Sequence, residues 1–155
     1  DTLGNAGYEH YEISNFCRPG MYSRHNTSYW KGIPYLGCGP SAHSFNTDTR
    51  EWNISSLEDY IHSIENNHRR FENEYLDRTT RYNECIMTSI RTKRGLSLND
   101  LEREFGKELW QYCMNMARPH LDSGKLEIRD SHLCLTRKGI FVSDSIMSDL
   151  MFIED

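Results

Sequence analysis

The chain has 155 residues, 37% of them hydrophobic and 12% aromatic, enough for one ordinary domain or a small domain plus part of a larger one. A net charge of −5 argues against general binding to nucleic acid or to an anionic membrane surface. No run approaches the roughly 20 apolar residues a membrane-spanning helix needs, and five scattered cysteines read as free thiols of a reducing cytoplasm.

Asp1-Thr2-Leu3-Gly4-Asn5-Ala6-Gly7 reads as the last turn of a helix closing on a glycine, an opening that suggests a piece of a longer chain. Residues 8–16 alternate loosely and are rich in Tyr and Ile, which predicts one strand, broken by Arg18-Pro19-Gly20. Ser23 stands where it would cap a short helix or turn over 23–30. Residues 35–39 predict a short strand running into a glycine turn, 42–45 extend it, and Thr47-Asp48-Thr49-Arg50 reads as a polar turn. Ser55 and Glu58 form a capping box ahead of a helix with Leu57, Tyr60, Ile61 and Ile64 on one face. That helix is closed by residues 66–70. The polar segment 71–78 is the expected boundary, giving domains 1–70 and 71–155.

Beyond the boundary the rhythm changes. Residues 79–92 predict a helix with Tyr82, Ile86, Met87 and Ile90 inward. Ser97 caps a second, short helix through Leu98, Leu101 and Phe105, ended by Gly106. A third spans 107–122 with Leu109, Met116 and Leu121 as core, and Pro119 is placed to bend or split it. A two-strand ribbon follows over 125–129 and 132–135 around an Asp130-Ser131 turn. A last helix from Thr136 buries Ile140, Ile146 and Leu150. Helix, helix, helix, hairpin, helix is the pattern of a winged-helix domain.

The run His25-Asn26-Thr27-Ser28-Tyr29-Trp30 carries the most chemistry. In a helix, His25 and Tyr29 share one face with Trp30 beside it. Imidazole is a common axial ligand of haem iron, and aromatic rings pack on the macrocycle. The same residues equally suit a core with a hydrogen-bonded histidine. Gly37-Cys38-Gly39-Pro40 would let backbone amides approach a ligand, or serve only as a tight turn, and lacks the third glycine of a dinucleotide fingerprint. Cys17, His25, Cys38 and His43 lack the close cysteine pair typical of structural zinc, and no cysteine triplet is present to hold a [4Fe–4S] cluster. The third helix and the ribbon mix Lys107, Arg118, Lys125 and Arg129 with Glu108, Glu127 and Asp130, a poor face for reading DNA.

Three segments together carry a resemblance: Gly7-Tyr8-Glu9-His10-Tyr11-Glu12-Ile13-Ser14-Asn15-Phe16, Arg24-His25-Asn26-Thr27-Ser28-Tyr29-Trp30, and Tyr35-Leu36-Gly37-Cys38-Gly39-Pro40-Ser41-Ala42-His43-Ser44. With residues 90–98 and 135–139 they resemble the carboxy-terminal half of the HemW-type proteins, a family related to oxygen-independent coproporphyrinogen III oxidase (HemN). The resemblance implies an α+β architecture: the tail of a radical S-adenosylmethionine partial TIM barrel, then a winged-helix-like domain of the HemN C-terminal type. It implies haem binding through His25, Asn26, Tyr29 and Trp30, with His25 on the metal. It also implies S-adenosylmethionine and a [4Fe–4S] cluster in the full-length protein, with Gly37, Gly39 and His43 near the former. The partners implied are haem or a porphyrinogen and the haem-accepting enzymes that receive the haem. Cytoplasmic location, no nucleic acid and no transmembrane segment are expected, with peripheral membrane association left open. Members often have Gly-Ala where this chain has Pro40-Ser41, a departure that adds bulk and removes a possible N–H donor from that turn. The enzyme alternative is oxidative decarboxylation of coproporphyrinogen III. A winged-helix nucleic-acid module is the third class.

Overall fold

A computed structural model describes residues 2–153. In chain order they form α1 (Thr2–Asn5), β1 (Glu9–Glu12), β2 (Asn15–Cys17), α2 (Arg24–Trp30), β3 (His43–Phe45), β4 (Thr49–Asn53), α3 (Leu57–Glu65) and β5 (Phe71–Tyr75). Then come α4 (Arg78–Ile90), β6 (Leu96–Ser97), α5 (Leu98–Asp122), β7 (Leu126–Arg129), β8 (His132–Leu135), α6 (Arg137–Ile140) and α7 (Ser143–Leu150). The class is mixed α and β. Contacts divide the chain into two units: the residues up to Thr27 with those from Arg78 on, and Ser28–Asp77.

The first unit holds the larger core. Tyr82, Ile86 and Ile90 of α4 meet Leu98, Leu101, Phe105, Leu109, Cys113 and Ala117 of α5, Leu126 and Leu133 of the sheet, and Ile146 and Leu150 of α7. Ser97 Oγ accepts the Asp100 N–H and starts α5. Gly106, at φ 73 and ψ 172, breaks it into the two helical segments the sequence indicated, and the Arg78 guanidinium donates to the Phe105 carbonyl at the break. Pro119 lies inside the second segment, which runs on to Asp122. The three-stranded sheet has order β6-β8-β7, all antiparallel. Asp130 and Ser131, both at positive φ, make the turn between β7 and β8. Tyr82 packs edge-on to Phe105, and its buried hydroxyl donates to the Leu150 carbonyl at 3.0 Å. Tyr82→Phe leaves that carbonyl without this donor, and the chain should lose about 1–2 kcal/mol in urea unfolding.

Several expectations are corrected here. Residues 8–16 form a hairpin, not one strand, because the chain reverses at Ile13-Ser14 between β1 and β2. The last helix is two, α6 capped by Thr136 and α7. Met87 and Met116 are exposed, so the inward faces of α4 and α5 are narrower than the pattern suggested. The hairpin is fastened to the end of α4 by Ile13 N–H to the Arg91 carbonyl and Lys93 N–H to the Tyr11 carbonyl, both 3.0 Å. Between those bonds Glu12, 3% exposed, accepts from Ser14 N–H and Oγ, Asn15 Nδ2 and Arg91 Nε.

The second unit is a meander, β3-β4-β5, with α3 between β4 and β5. The expected polar turn at residues 47–50 shrinks, since Thr49 and Arg50 already belong to β4. The segment read as a boundary, 71–78, contains β5. These two strands are held by pairs across the ladder, Arg50 with Glu74 and Trp52 Nε1 with Glu72, each at 3.0 Å. All five residues of β5 are exposed, and its only strand neighbour among the described residues is β4. Helix α3 is capped one residue later than expected, by Ser56 Oγ accepting the Asp59 N–H. Its predicted apolar face is exposed at Leu57, Ile61 and Ile64.

Candidate functional site

Helix α2 carries the imidazole-and-aromatic run. Ser23 caps it as the sequence indicated: its Oγ accepts the Asn26 N–H at 3.2 Å, while its carbonyl accepts Thr27 Oγ1 at 2.7 Å. The far end closes with Ile33 N–H on the Ser28 carbonyl and Gly32 N–H on Tyr29, a glycine at positive φ ending the helix. Along this short element His25 is exposed, Asn26 half-buried, Tyr29 exposed and Trp30 half-buried. His25 and Tyr29 are four residues apart and so share a helix face.

Tyr29 meets a second tyrosine that the sequence reading had not assigned to the site. Its ring stands edge-on to Tyr35, centroids 4.9 Å apart and planes at 76°. Tyr35 in turn exchanges both backbone hydrogen bonds with Phe45 of β3, at 3.0 and 2.9 Å, and the two rings lie 6.1 Å apart. Three aromatic rings therefore run from the helix to the sheet of the second unit. Beside them is a recess of about 340 Å³, whose lining includes Pro34, Leu36, Ser44 and Glu51 as well as Tyr35 and Phe45.

The glycine turn is tied down from within. Gly37 N–H donates to Ser44 Oγ at 3.0 Å and Gly39 N–H to the Tyr60 hydroxyl at 3.1 Å. Asn53 Nδ2 donates to the carbonyls of both glycines, and Asn53 Oδ1 accepts from Arg69 Nε, while Arg69 Nη2 pairs with Glu51. Gly37 has a second constraint: a Cβ there would lie 2.1 Å from the His43 carbonyl oxygen. His43 is exposed on β3, and its ring is tilted against Trp52 at 5.9 Å. Asn53 and Arg69, like Tyr35, are residues sequence reasoning missed; Asn53 is 2% exposed on β4, a strand whose sequence gives no apolar alternation to mark it.

Among the described residues no three His, Cys, Asp or Glu side chains converge as a metal set. Burial pushes the thiols of Cys85 and Cys113 up to about 11, which leaves both protonated at neutral pH. Among the described residues no helix is long and apolar enough to cross a membrane.

The family model for the HemN C-terminal domain matches residues 76–142. Over 153 residues the chain is 31% identical to a Mycobacterium tuberculosis (strain CDC 1551 / Oshkosh) protein named "Heme chaperone HemW", covering 96% of this chain and 36% of that one. A Mus musculus protein named "Radical S-adenosyl methionine domain-containing protein 1, mitochondrial" is 45% identical over 63 residues, 37% of this chain and 14% of its own length. Among solved structures, one titled as coproporphyrinogen III oxidase (HemN) from Escherichia coli, a radical SAM enzyme, aligns with TM-score 0.71 at 17% identity. It covers 97% of this chain and 38% of that one, a likeness of fold. The chain thus spans about a third of the length of the Mycobacterium tuberculosis protein and of the HemN chain.

Proposed function

We propose, from the premise that this chain is HemW-like and carries the HemN C-terminal domain, that it provides the haem-holding segment of a haem-delivery protein. His25 is the axial ligand, Tyr29 and Trp30 form an aromatic wall, and Asn26 orients the imidazole or a propionate. The observation that carries this reading is the exposure of His25 on the face of α2 it shares with Tyr29. A flat iron macrocycle has access to an imidazole there that a core histidine would deny it. Haem is cargo in this reading, passed on to haem-requiring enzymes.

The finer architecture follows from the same premise. The unit built on α4 to α7 is winged-helix-like, and the segments before it continue a radical S-adenosylmethionine barrel. In this reading S-adenosylmethionine and a [4Fe–4S] cluster belong to the full-length protein, with the cluster ligands in a part of it that this chain does not span. His43 is the residue of the glycine-turn segment best placed for a small ligand, because the amides of Gly37 and Gly39 are engaged within the unit. The proposed location is cytoplasmic.

Titration with ferric haem tests the assignment. The wild-type protein should develop a Soret band of ligated iron, and His25→Ala should shift that band and weaken binding about tenfold, equivalent to about 1.4 kcal/mol. An identical band and affinity in the variant would remove His25 from the iron.

A further inference from the structure

The sequence motif ends at Trp30, yet the geometry continues past it. Tyr29 is 43% exposed and sits on a helix of only seven residues, too short to fix a large side chain by its own packing. Tyr35 packs against it, edge-on at 4.9 Å. Tyr35 is held by the reciprocal backbone pair with Phe45, and Phe45 pairs with Arg50 in the β3–β4 ladder. The path from sheet to ligand wall is therefore short: ladder, Phe45, Tyr35, Tyr29.

We infer that Tyr35 is a positioning residue for haem binding, setting the plane of the Tyr29 ring against which the macrocycle lies. This rests on the haem reading above and extends it to a residue outside H-N-x-x-Y-W. The edge-to-face arrangement matters because it aligns the electropositive rim of one ring with the face of the other, and a tilted Tyr29 would forfeit stacking area on a flat ligand. The ring does this work, so phenylalanine at 35 serves as well as tyrosine and an aliphatic residue does not.

The test is a double-mutant cycle on the intact protein, read by ferric haem titration. Tyr35→Leu should weaken binding about 3- to 10-fold, the range of one aromatic pair, and Tyr35→Phe should restore it. In a Tyr29→Ala background Tyr35→Leu should have no further effect, a non-additivity that a general loss of structure does not produce. Phe45→Leu, which removes the ring behind Tyr35, gives an independent variant if Tyr35→Leu fails to fold, and should weaken binding 2- to 3-fold in the same Tyr29-dependent way. His25→Ala runs beside them. If it leaves the Soret band unchanged, the haem reading falls and this inference with it. If His25→Ala weakens binding while Tyr35→Leu (or, should that not fold, Phe45→Leu) binds as wild type, or its effect adds fully to Tyr29→Ala, the positioning role alone is overturned.

Discussion

Replacing Gly37 by alanine should cost the chain about 3 kcal/mol or more, read as a fall in the urea midpoint. The new methyl would meet the His43 carbonyl oxygen at 2.1 Å, the His43 carbonyl carbon at 2.7 Å and the Ala42 carbonyl carbon at 2.9 Å. All three are backbone atoms, so no flexible side chain can swing away. Relief requires the chain at 37 to part from β3, which breaks the Gly37–Ser44 bond and strains the Tyr35–Phe45 pair two residues back. On the proposed haem reading, binding should weaken along with stability, because Tyr35 then loses its anchor. An unchanged midpoint would show that this close approach is absent in solution.

Glu12→Ala should destabilise by about 2–4 kcal/mol, through a different cause. Burial alone would raise the Glu12 carboxyl. The opposing bonds from Ser14 N–H, Asn15, the Ser14 hydroxyl and Arg91 outweigh it and hold the group below its usual 4.5. Since the folded value is the lower one, the stabilisation is complete above about pH 4.5 and is lost as pH falls through the folded value. Urea midpoints of wild type and Glu12→Ala should therefore differ most near neutral pH and converge in acid. A gap that stays constant from pH 7 down to pH 3 would refute the ionised hub. The loss should fall on the hairpin, since removing the carboxylate releases the turn at Ile13-Ser14 and its tie to Arg91 together.

Legibility from the sequence followed local chemistry. The caps at Ser23 and Ser97, the break at Gly106 and the Asp130-Ser131 turn each have a residue whose own conformational or hydrogen-bonding preference fixes the outcome. The imidazole-bearing helix could be read for the same reason. Strands β4 and β5 could not, because Thr-Arg-Glu-Trp-Asn and Phe-Glu-Asn-Glu-Tyr show no apolar alternation. Their stability comes from partners 20 or more residues away, such as Glu72 for Trp52 and Glu74 for Arg50. The reversal at Ile13-Ser14 was hidden because it has neither glycine nor proline. It depends instead on a carboxylate satisfied by Arg91, 79 residues later. The Tyr29–Tyr35 pair was invisible too, since a ring-to-ring angle is not a property of spacing.

The free border of the meander has a consequence for how this protein behaves at high concentration. Glu72 and Glu74 alternate along β5 while each answers a neighbour on β4. A foreign strand seeking to extend the ladder would have to approach two carboxylates flanked by Phe71 and Tyr75, which would otherwise make an inviting template. The pairs that assemble the sheet thus also oppose its growth, and apolar residues at 72 or 74 should raise aggregation on concentration, read by light scattering.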